Sequence, residues 1–196
     1  MITSHIIGGN RRDAWNKDLI KIYETSFPEA EKIPYENILR IIEEAEFPVE
    51  YLAHEEGGGL TLGQGDIVGL SITAELDDFD WIWYLAVQKI CRGKGYGKQL
   101  LQIVKDRCYD ASYREKPIIV EIESPNQSTC NNLEERERRH KFFLDQGFRD
   151  TDVTYERAGV LYLIISSSDL PFTKEDYNNM LEILWKESPY QKTLKI

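Results

Sequence analysis

The stretch Trp81–Val104, WIWYLAVQKICRGKGYGKQLLQIV, decides the fold of this chain. Its first part, Trp81–Val87, is aromatic or aliphatic throughout, as in a strand buried on both faces. Glycines are interspersed with basic residues over 92–98, and from Tyr96 onward apolar residues recur at the spacing of one helix face. The stretch therefore predicts a buried strand, a basic glycine loop and an amphipathic helix.

A glycine loop between a strand and a helix N-terminus is suited to bind an anion. Glycine accepts a positive φ and lets the backbone approach a ligand, and the first amides of a helix have no intrahelical partner. No Asp or Glu lies between Asp80 and Asp106, although the whole chain has a formal net charge of −10. This local excess of positive charge predicts a phosphate-bearing ligand at the loop.

The spacing within the loop separates it from two familiar phosphate loops. Gly93, Gly95 and Gly97 form G-x-G-x-G, which is neither the G-x-G-x-x-G dinucleotide fingerprint nor a G-x-x-x-x-G-K loop followed by Ser or Thr. The pattern R-x-x-G-x-G, which begins at Arg92 directly after a strand ending in LAV, resembles the pyrophosphate loop of the GNAT superfamily of acyl-CoA-dependent N-acyltransferases. A second motif, FFLDQGF at Phe142–Phe148, resembles the closing-helix signature of that superfamily.

The rest of the sequence predicts the element order that this resemblance implies. Periodicity and turn residues predict further elements, which are helices over 13–25 and from Pro34, strands over 49–54, 67–75 and 118–123, a helix over 133–146, a hairpin over 153–166 and a last helix capped by Thr173, with a glycine-rich connection over 55–66. Over roughly Ile20–Ser166 the resemblance implies the α/β GNAT fold. That fold is a mixed, mostly antiparallel sheet with a splayed central strand pair, helices on both faces and, here, a C-terminal helix. We expect one domain over 1–168 and a helical extension over 169–196 packed on it.

Composition limits the partners and the location to expect. The 196 residues are 41% hydrophobic, enough for one substantial core, and the N-terminal residues lack the apolar centre of a signal peptide. Three cysteines without a pairing pattern fit a reducing compartment, so we expect a cytoplasmic protein with no metal site. The acidic balance argues against nucleic acid or an anionic membrane as a partner.

The resemblance implies direct transfer of an acetyl group from acetyl-CoA, as co-substrate, to a primary amine in a ternary complex. By analogy with the family, the backbone of Leu85, Ala86 and Val87 would hold the pantetheine arm and the carbonyl oxygen. The Leu85 amide would then face the developing oxyanion. The pyrophosphate would be bound by the loop residues Arg92, Gly93, Lys94, Gly95, Tyr96, Gly97 and Lys98.

The attacking amine must lose a proton, because a free alkylamine has a pKa of about 10.4. Glu121 and Glu123 are the candidate bases, since the strand next to the splayed one often supplies this carboxylate in the family. Strand alternation places both on one face, and we favour Glu123 because it is nearer the end of the strand. The alternative is that one or both carboxylates are solvated or paired with the following helix.

One position departs from the family's pattern. Many members carry a tyrosine four residues before the glycine of the closing helix, where it protonates the leaving thiolate. Phe143 stands there in this chain, and we expect it to line the cofactor site. A thiol of pKa about 8.5 can leave without assistance. Tyr84, Tyr155 and Tyr162 are other hydroxyls that could act, although each is expected to be a packing residue. The departure also motivates an alternative function, a CoA-binding module that has lost catalysis.

The sequence contains no recognisable motif that identifies the acceptor substrate. By resemblance, the first two helices and the loop Phe27–Pro34 frame the acceptor groove, which would take a small-molecule or protein amine. We expect the acidic residues at 77–80 to form a solvated turn. Family members are often homodimers. A third hypothesis makes the C-terminal helix an interface through Tyr177, Leu181 and Trp185.

Overall fold

The structure, a computed structural model, describes residues 2–7, 17–27, 31–38, 40, 49–54, 67–112 and 116–185. These residues form seven strands in two compact units. The first unit comprises residues 1–75 and 82–115, and the second comprises 76–81 and 116–196. Several predicted features lie outside the described residues, namely the start of the first helix at Asp13, the second helix beyond 40, the connection 55–66 and the side chain of Trp185.

The first unit contains four strands and three helices among its described residues. These are β1 (Ile2–Ile7), α1 (Lys17–Ser26), α2 (residues 35–38 and 40), β2 (Val49–His54), β3 (Ile67–Glu75), β4 (Asp80–Val87) and α3 (Tyr96–Ser112). β4 belongs to the first unit from Ile82 onward. The second unit contains β5 (Ile118–Glu123), α4 (Leu133–Asp145), β6 (Arg149–Arg157), β7 (Val160–Ser166) and α5 (Lys174–Trp185).

The sheet of the first unit has the strand order β1-β2-β3-β4. β2 is antiparallel to both β1 and β3. Every residue of β3 except Glu75 is buried, because α1 and α3 pack on this strand. The core side chains of the two helices include Leu19, Ile22, Leu100 and Val104, and burying each contributes about 1.5–3 kcal/mol. This core fixes the start of α3 and therefore the glycine loop.

The second unit has the strand order β5-β7-β6, with both neighbouring pairs antiparallel. The β6–β7 hairpin turns at Ala158 and Gly159, whose φ angles are 52° and 78°. Two consecutive residues with positive φ give the type I′ turn that matches the twist of a two-residue hairpin. β5 pairs with β7 in the register that places Glu123 opposite Tyr162 and Glu121 opposite Ile164.

α5 begins with the capping box that the sequence predicts. The Thr173 N–H donates to the Asp176 carboxylate at 2.7 Å, and the Asp176 N–H donates to Thr173 Oγ1 at 3.2 Å. Tyr177 and Met180 are buried on the inner side of this helix. The predicted α/β class and the C-terminal helix are thus confirmed, whereas the division into domains at 168 stays a prediction.

The structure corrects some sequence expectations. β1 was not predicted, and β6 begins at Arg149 instead of 153. In α4 the apolar residues Leu133 and Leu144 are 42% and 41% exposed, while the charged residue Arg136 is buried. Asp80, expected in a solvated turn, is also buried. Hydrophobic periodicity does not reveal the burial of Arg136 or Asp80, because a charged group can be buried when it is paired.

Candidate functional site

The chain leaves β4 through a tightly bonded turn. The Gln88 N–H donates to the Val68 carbonyl at 2.8 Å, and the Gln88 side-chain amide donates to the Ile67 carbonyl at 2.6 Å. A single 3₁₀ turn, Lys89–Cys91, follows, with the Cys91 N–H donating to Gln88 O at 2.8 Å. These bonds attach the start of the glycine loop to β3.

Two glycines give the loop its path. Gly93 and Gly95 have φ angles of 76° and 83°, and a Cβ added to either would meet no atom within 4 Å. Glycine is therefore required by the backbone conformation and not by crowding, since other residues are strained at such angles. The space beside both residues is open to a ligand.

The loop delivers the chain to the N-terminus of α3. The Gln99 N–H donates to the Gly95 carbonyl at 3.1 Å, which is the bond that opens the helix. The amides of Tyr96, Gly97 and Lys98 precede it and have no acceptor inside the helix. The helix dipole adds partial positive charge at this end, and exposed basic side chains surround it, namely those of Lys89, Arg92, Lys94 and Lys98. The arrangement has the geometry and charge of an anion site.

Arg92 connects the loop to the strand end. Its Nε donates to the Val87 carbonyl at 3.1 Å. Leu85 and Val87 pack against the buried cluster of Val68, Cys91 and Leu100. Cys91 is therefore a small packing residue of the core. The first unit contains both the predicted backbone groups of Leu85, Ala86 and Val87 and the predicted loop residues 92–98. The end of β4 and the N-terminus of α3 therefore belong to the same unit.

Two tyrosines attach the predicted acceptor loop to this unit. The Tyr23 hydroxyl donates to the Ile33 carbonyl at 2.7 Å and accepts from the Ile33 N–H at 2.9 Å. The Tyr84 hydroxyl donates to the Glu31 carbonyl at 3.0 Å. The Tyr84 ring packs edge to face on the rings of Tyr23 and Phe27. Its centroid lies 5.0 Å from that of Tyr23 and 4.8 Å from that of Phe27. Burial raises the pKa of Tyr23. Tyr84 thus holds the chain at Glu31.

Glu123, in the second unit, is buried in an ion-pair network with α4. Its two carboxylate oxygens accept from Arg136 at 2.9 Å, from Arg139 at 3.0 Å and from the Asn132 amide at 3.1 Å. Arg136 is itself 4% exposed and also donates to Asn132 Oδ1 at 2.7 Å and the Ser124 carbonyl at 3.2 Å. This is the arrangement anticipated by the alternative interpretation, pairing of the carboxylate with the following helix.

Glu121 has different neighbours. The Tyr155 hydroxyl donates to Glu121 Oε2 at 2.7 Å. Burial first, and then the negative charge of Glu121, raise the pKa of Tyr155 far above its usual range. The same two causes, in the same order, raise the pKa of Tyr177 on α5. Both phenols therefore stay protonated at neutral pH and act as hydrogen-bond donors.

Phe143 is an interior residue of α4. It is 4% exposed, and its ring lies 5.1 Å from Phe142 and 5.3 Å from Phe148, measured between centroids. Gly147, with φ at 85°, ends the helix, and the Phe148 N–H donates to the Phe143 carbonyl at 3.1 Å. This ring has no hydroxyl to donate, and its place at a cofactor stays a prediction.

Sequence reasoning missed three side chains of these networks: Arg136, Arg157 and Tyr177. One signal could have identified Arg136. It lacks an acidic residue at i−4, unlike Arg138, Arg139 and Lys141 on the same helix, so the helix itself offers it no such ion-pair partner. Arg157 and Tyr177 reach their partners only through the pairing of β6 and the docking of α5.

Two absences concern the residues that the structure describes. Among them, no three His, Cys, Asp or Glu side chains lie close enough together to hold a metal ion. Within the same ranges, no helix is long and apolar enough to cross a membrane.

A comparison with known families gives a match. The sequence model described as the Acetyltransferase (GNAT) family matches residues 16–137. This range includes the glycine loop, α3, both candidate glutamates and the start of α4. No curated protein matches the chain.

The fold is similar to those of solved structures at low sequence identity. A protein from Bacteroides thetaiotaomicron assigned to the GNAT family is 17% identical, with a TM-score of 0.64 over 93% of this chain and 95% of that one. The ribosomal-protein-S18-alanine N-acetyltransferase from Escherichia coli is 14% identical, with a TM-score of 0.58 over 87% and 100%. Ard1 from Thermoplasma volcanium is 18% identical, with a TM-score of 0.56 over 84% and 95%. At such identities the likeness concerns the fold alone.

Proposed function

Because this chain belongs to the GNAT acetyltransferase family, we propose that it transfers an acetyl group from acetyl-CoA to a primary amine. The observation that carries the proposal is the glycine loop. Gly93 and Gly95 expose backbone at positive φ next to the N-terminal amides of α3, and the basic side chains of this segment are exposed. A diphosphate group fits this combination of backbone and charge, because a helix N-terminus binds phosphate oxygens through its amides and its dipole.

The reaction is a direct displacement within one ternary complex. The amine nitrogen forms a bond to the thioester carbonyl carbon, the carbon–sulfur bond breaks, and CoA leaves as a thiolate. The Leu85 amide would donate to the carbonyl oxygen as negative charge develops on it. The thiolate would take its proton from solvent, because Phe143 has no hydroxyl and a thiol of pKa about 8.5 is a tolerable leaving group.

We assign the removal of the amine's proton to Glu121 in preference to Glu123. Three donors on or next to α4 occupy both carboxylate oxygens of Glu123, so accepting a proton there would break two ion pairs. The neighbours of Glu121 include Tyr155, a neutral hydroxyl donor, which leaves the negative charge of the carboxylate in place. Transfer would proceed directly or through one water.

A second candidate, a CoA-binding module without catalysis, draws its support from the buried phenylalanine at position 143. Turnover separates the two functions. The purified chain is incubated with acetyl-CoA and a panel of small amines and amine-bearing peptides, and CoA thiol release is followed. Acyl transfer to any acceptor above the no-enzyme rate supports the enzyme. Acetyl-CoA binding without transfer to any acceptor supports the module.

Location and assembly belong to the same proposal. A cytoplasmic setting would supply acetyl-CoA and fits three free cysteines, of which Cys91 and Cys108 are buried. The proposal of a homodimer rests only on the fact that members of the family are often homodimers.

A further inference from the structure

The Glu121 carboxylate belongs to a polar cluster built from four elements of the second unit. It accepts the bond from Tyr155 on β6, and its negative charge acts on the phenol of Tyr177 on α5, where it adds to burial in raising the pKa of that group. The Tyr177 ring stacks on Tyr155 with centroids 5.0 Å apart, and Tyr162 of β7 stacks on Tyr155 at 5.1 Å. The three stacked rings thus hold the side chains of Tyr155 and Tyr177 side by side.

Arg157 is the cation of this cluster. Its guanidinium carbon lies 4.9 Å from the centroid of the Tyr162 ring, and its charge acts on Glu121. Its Nε is buried without a hydrogen-bond partner.

The tyrosines are fixed as donors. Burial, followed by the charge of Glu121, holds the pKa of Tyr155 and of Tyr177 well above the usual range. A donor that stays protonated favours the charged form of the carboxylate it faces. Arg157 acts in the same direction by its positive charge, and Tyr162 faces the cluster as a third phenol.

We propose that Tyr155 and Tyr177 are positioning residues that orient Glu121 as the base, which makes α5 part of the catalytic apparatus. The proposal rests on the proposed function. α5 begins at Lys174, beyond the residues 16–137 that the family model matches.

The test removes one hydroxyl and keeps the ring. In Tyr177→Phe the stacking on Tyr155 persists, so we expect the acidic limb of the kcat/KM pH profile to move up by about 1 pH unit. At the pH of that limb, activity should fall roughly tenfold, with acetyl-CoA affinity unchanged. Tyr155→Phe should act in the same direction. Tyr109→Phe, which removes an exposed hydroxyl from α3, serves as the matched control and should change nothing.

A lower melting temperature with an unmoved pH profile in both variants would overturn the proposal, because α5 would then be only a structural brace. If the wild-type chain shows no turnover, the proposed function fails, and the cluster is measured directly. Carbon-13 NMR of labelled glutamate, assigned with Glu121→Gln, follows the Glu121 carboxylate. Its titration midpoint should rise in Tyr177→Phe, and an unmoved midpoint would contradict the proposal without reference to activity.

Discussion

Glu121 and Glu123 are two residues apart on one strand, yet their surroundings give them different chemistry. Glu123 meets two guanidinium groups and an amide, so its charge is compensated and its oxygens are occupied. The neighbours of Glu121 include the neutral phenol of Tyr155, and its charge acts on Tyr177 and Arg157. A carboxylate of the first kind stabilises a helix against a strand, and one of the second kind is suited to accept a proton.

Replacing each glutamate by glutamine separates these roles. Glu121→Gln keeps the shape and the acceptor for Tyr155 but cannot take a proton, so kcat/KM should fall by about 10²–10⁴ with little change in melting temperature. Glu123→Gln leaves Arg136 and Arg139 without their counter-charge, so it should lower stability more than rate. Initial rates of CoA release and thermal unfolding measure both. Loss of activity in Glu123→Gln alone, at full stability, would contradict the assignment.

Arg136 provides a second test of the buried pair. Removing it leaves the Glu123 charge buried with fewer partners, so Arg136→Ala should reduce the free energy of unfolding by about 3–5 kcal/mol. Arg138→Ala, at an exposed position of the same helix, should stay within about 0.5 kcal/mol of wild type. Urea denaturation gives both values. Equal effects of the two substitutions would show that the network carries no special stability.

α5 depends on its first turn as well as on Tyr177. Thr173 and Asp176 exchange side-chain to backbone hydrogen bonds across that turn. Thr173→Ala removes one of them, so it should weaken α5 by about 1 kcal/mol. Native-state hydrogen exchange should then show faster exchange of the α5 amides alone. Thr129→Ala, in an exposed loop position, is the control. Unchanged exchange in α5 would mean that docking on the strands, and not the cap, holds this helix.

The elements that the sequence predicts well are those with strong local signals. Three strands have the bounds expected from their apolar runs, and Gly93 and Gly95 have the positive φ that their role demands. The family resemblance drawn from the loop and the FFLDQGF motif is confirmed by the family match. Local patterns cannot show which distant group neutralises a buried charge. For that reason the choice between the two glutamates, and the part played by Tyr177, required the strand register and the docked helix.

The whole molecule is acidic, and the glycine loop is an exception within it. A chain with a net charge of −10 repels a polyanionic ligand over most of its surface. Four exposed basic side chains and the N-terminus of α3 give the loop a positive potential, so the ligand is drawn to that place. The central claim is therefore that acetyl-CoA binds through this loop.

Calorimetric titration of acetyl-CoA into the intact protein, Gly95→Glu and Gly159→Glu tests this claim most directly. Both variants place the same charged residue at a positive φ with open space around it, 83° in the loop and 78° in the β6–β7 turn, so strain is matched. We expect wild type and Gly159→Glu to bind alike, and Gly95→Glu to bind at least ~100-fold more weakly because a carboxylate would face the pyrophosphate. Equal binding by Gly95→Glu, or no binding by the folded wild type, would contradict the account.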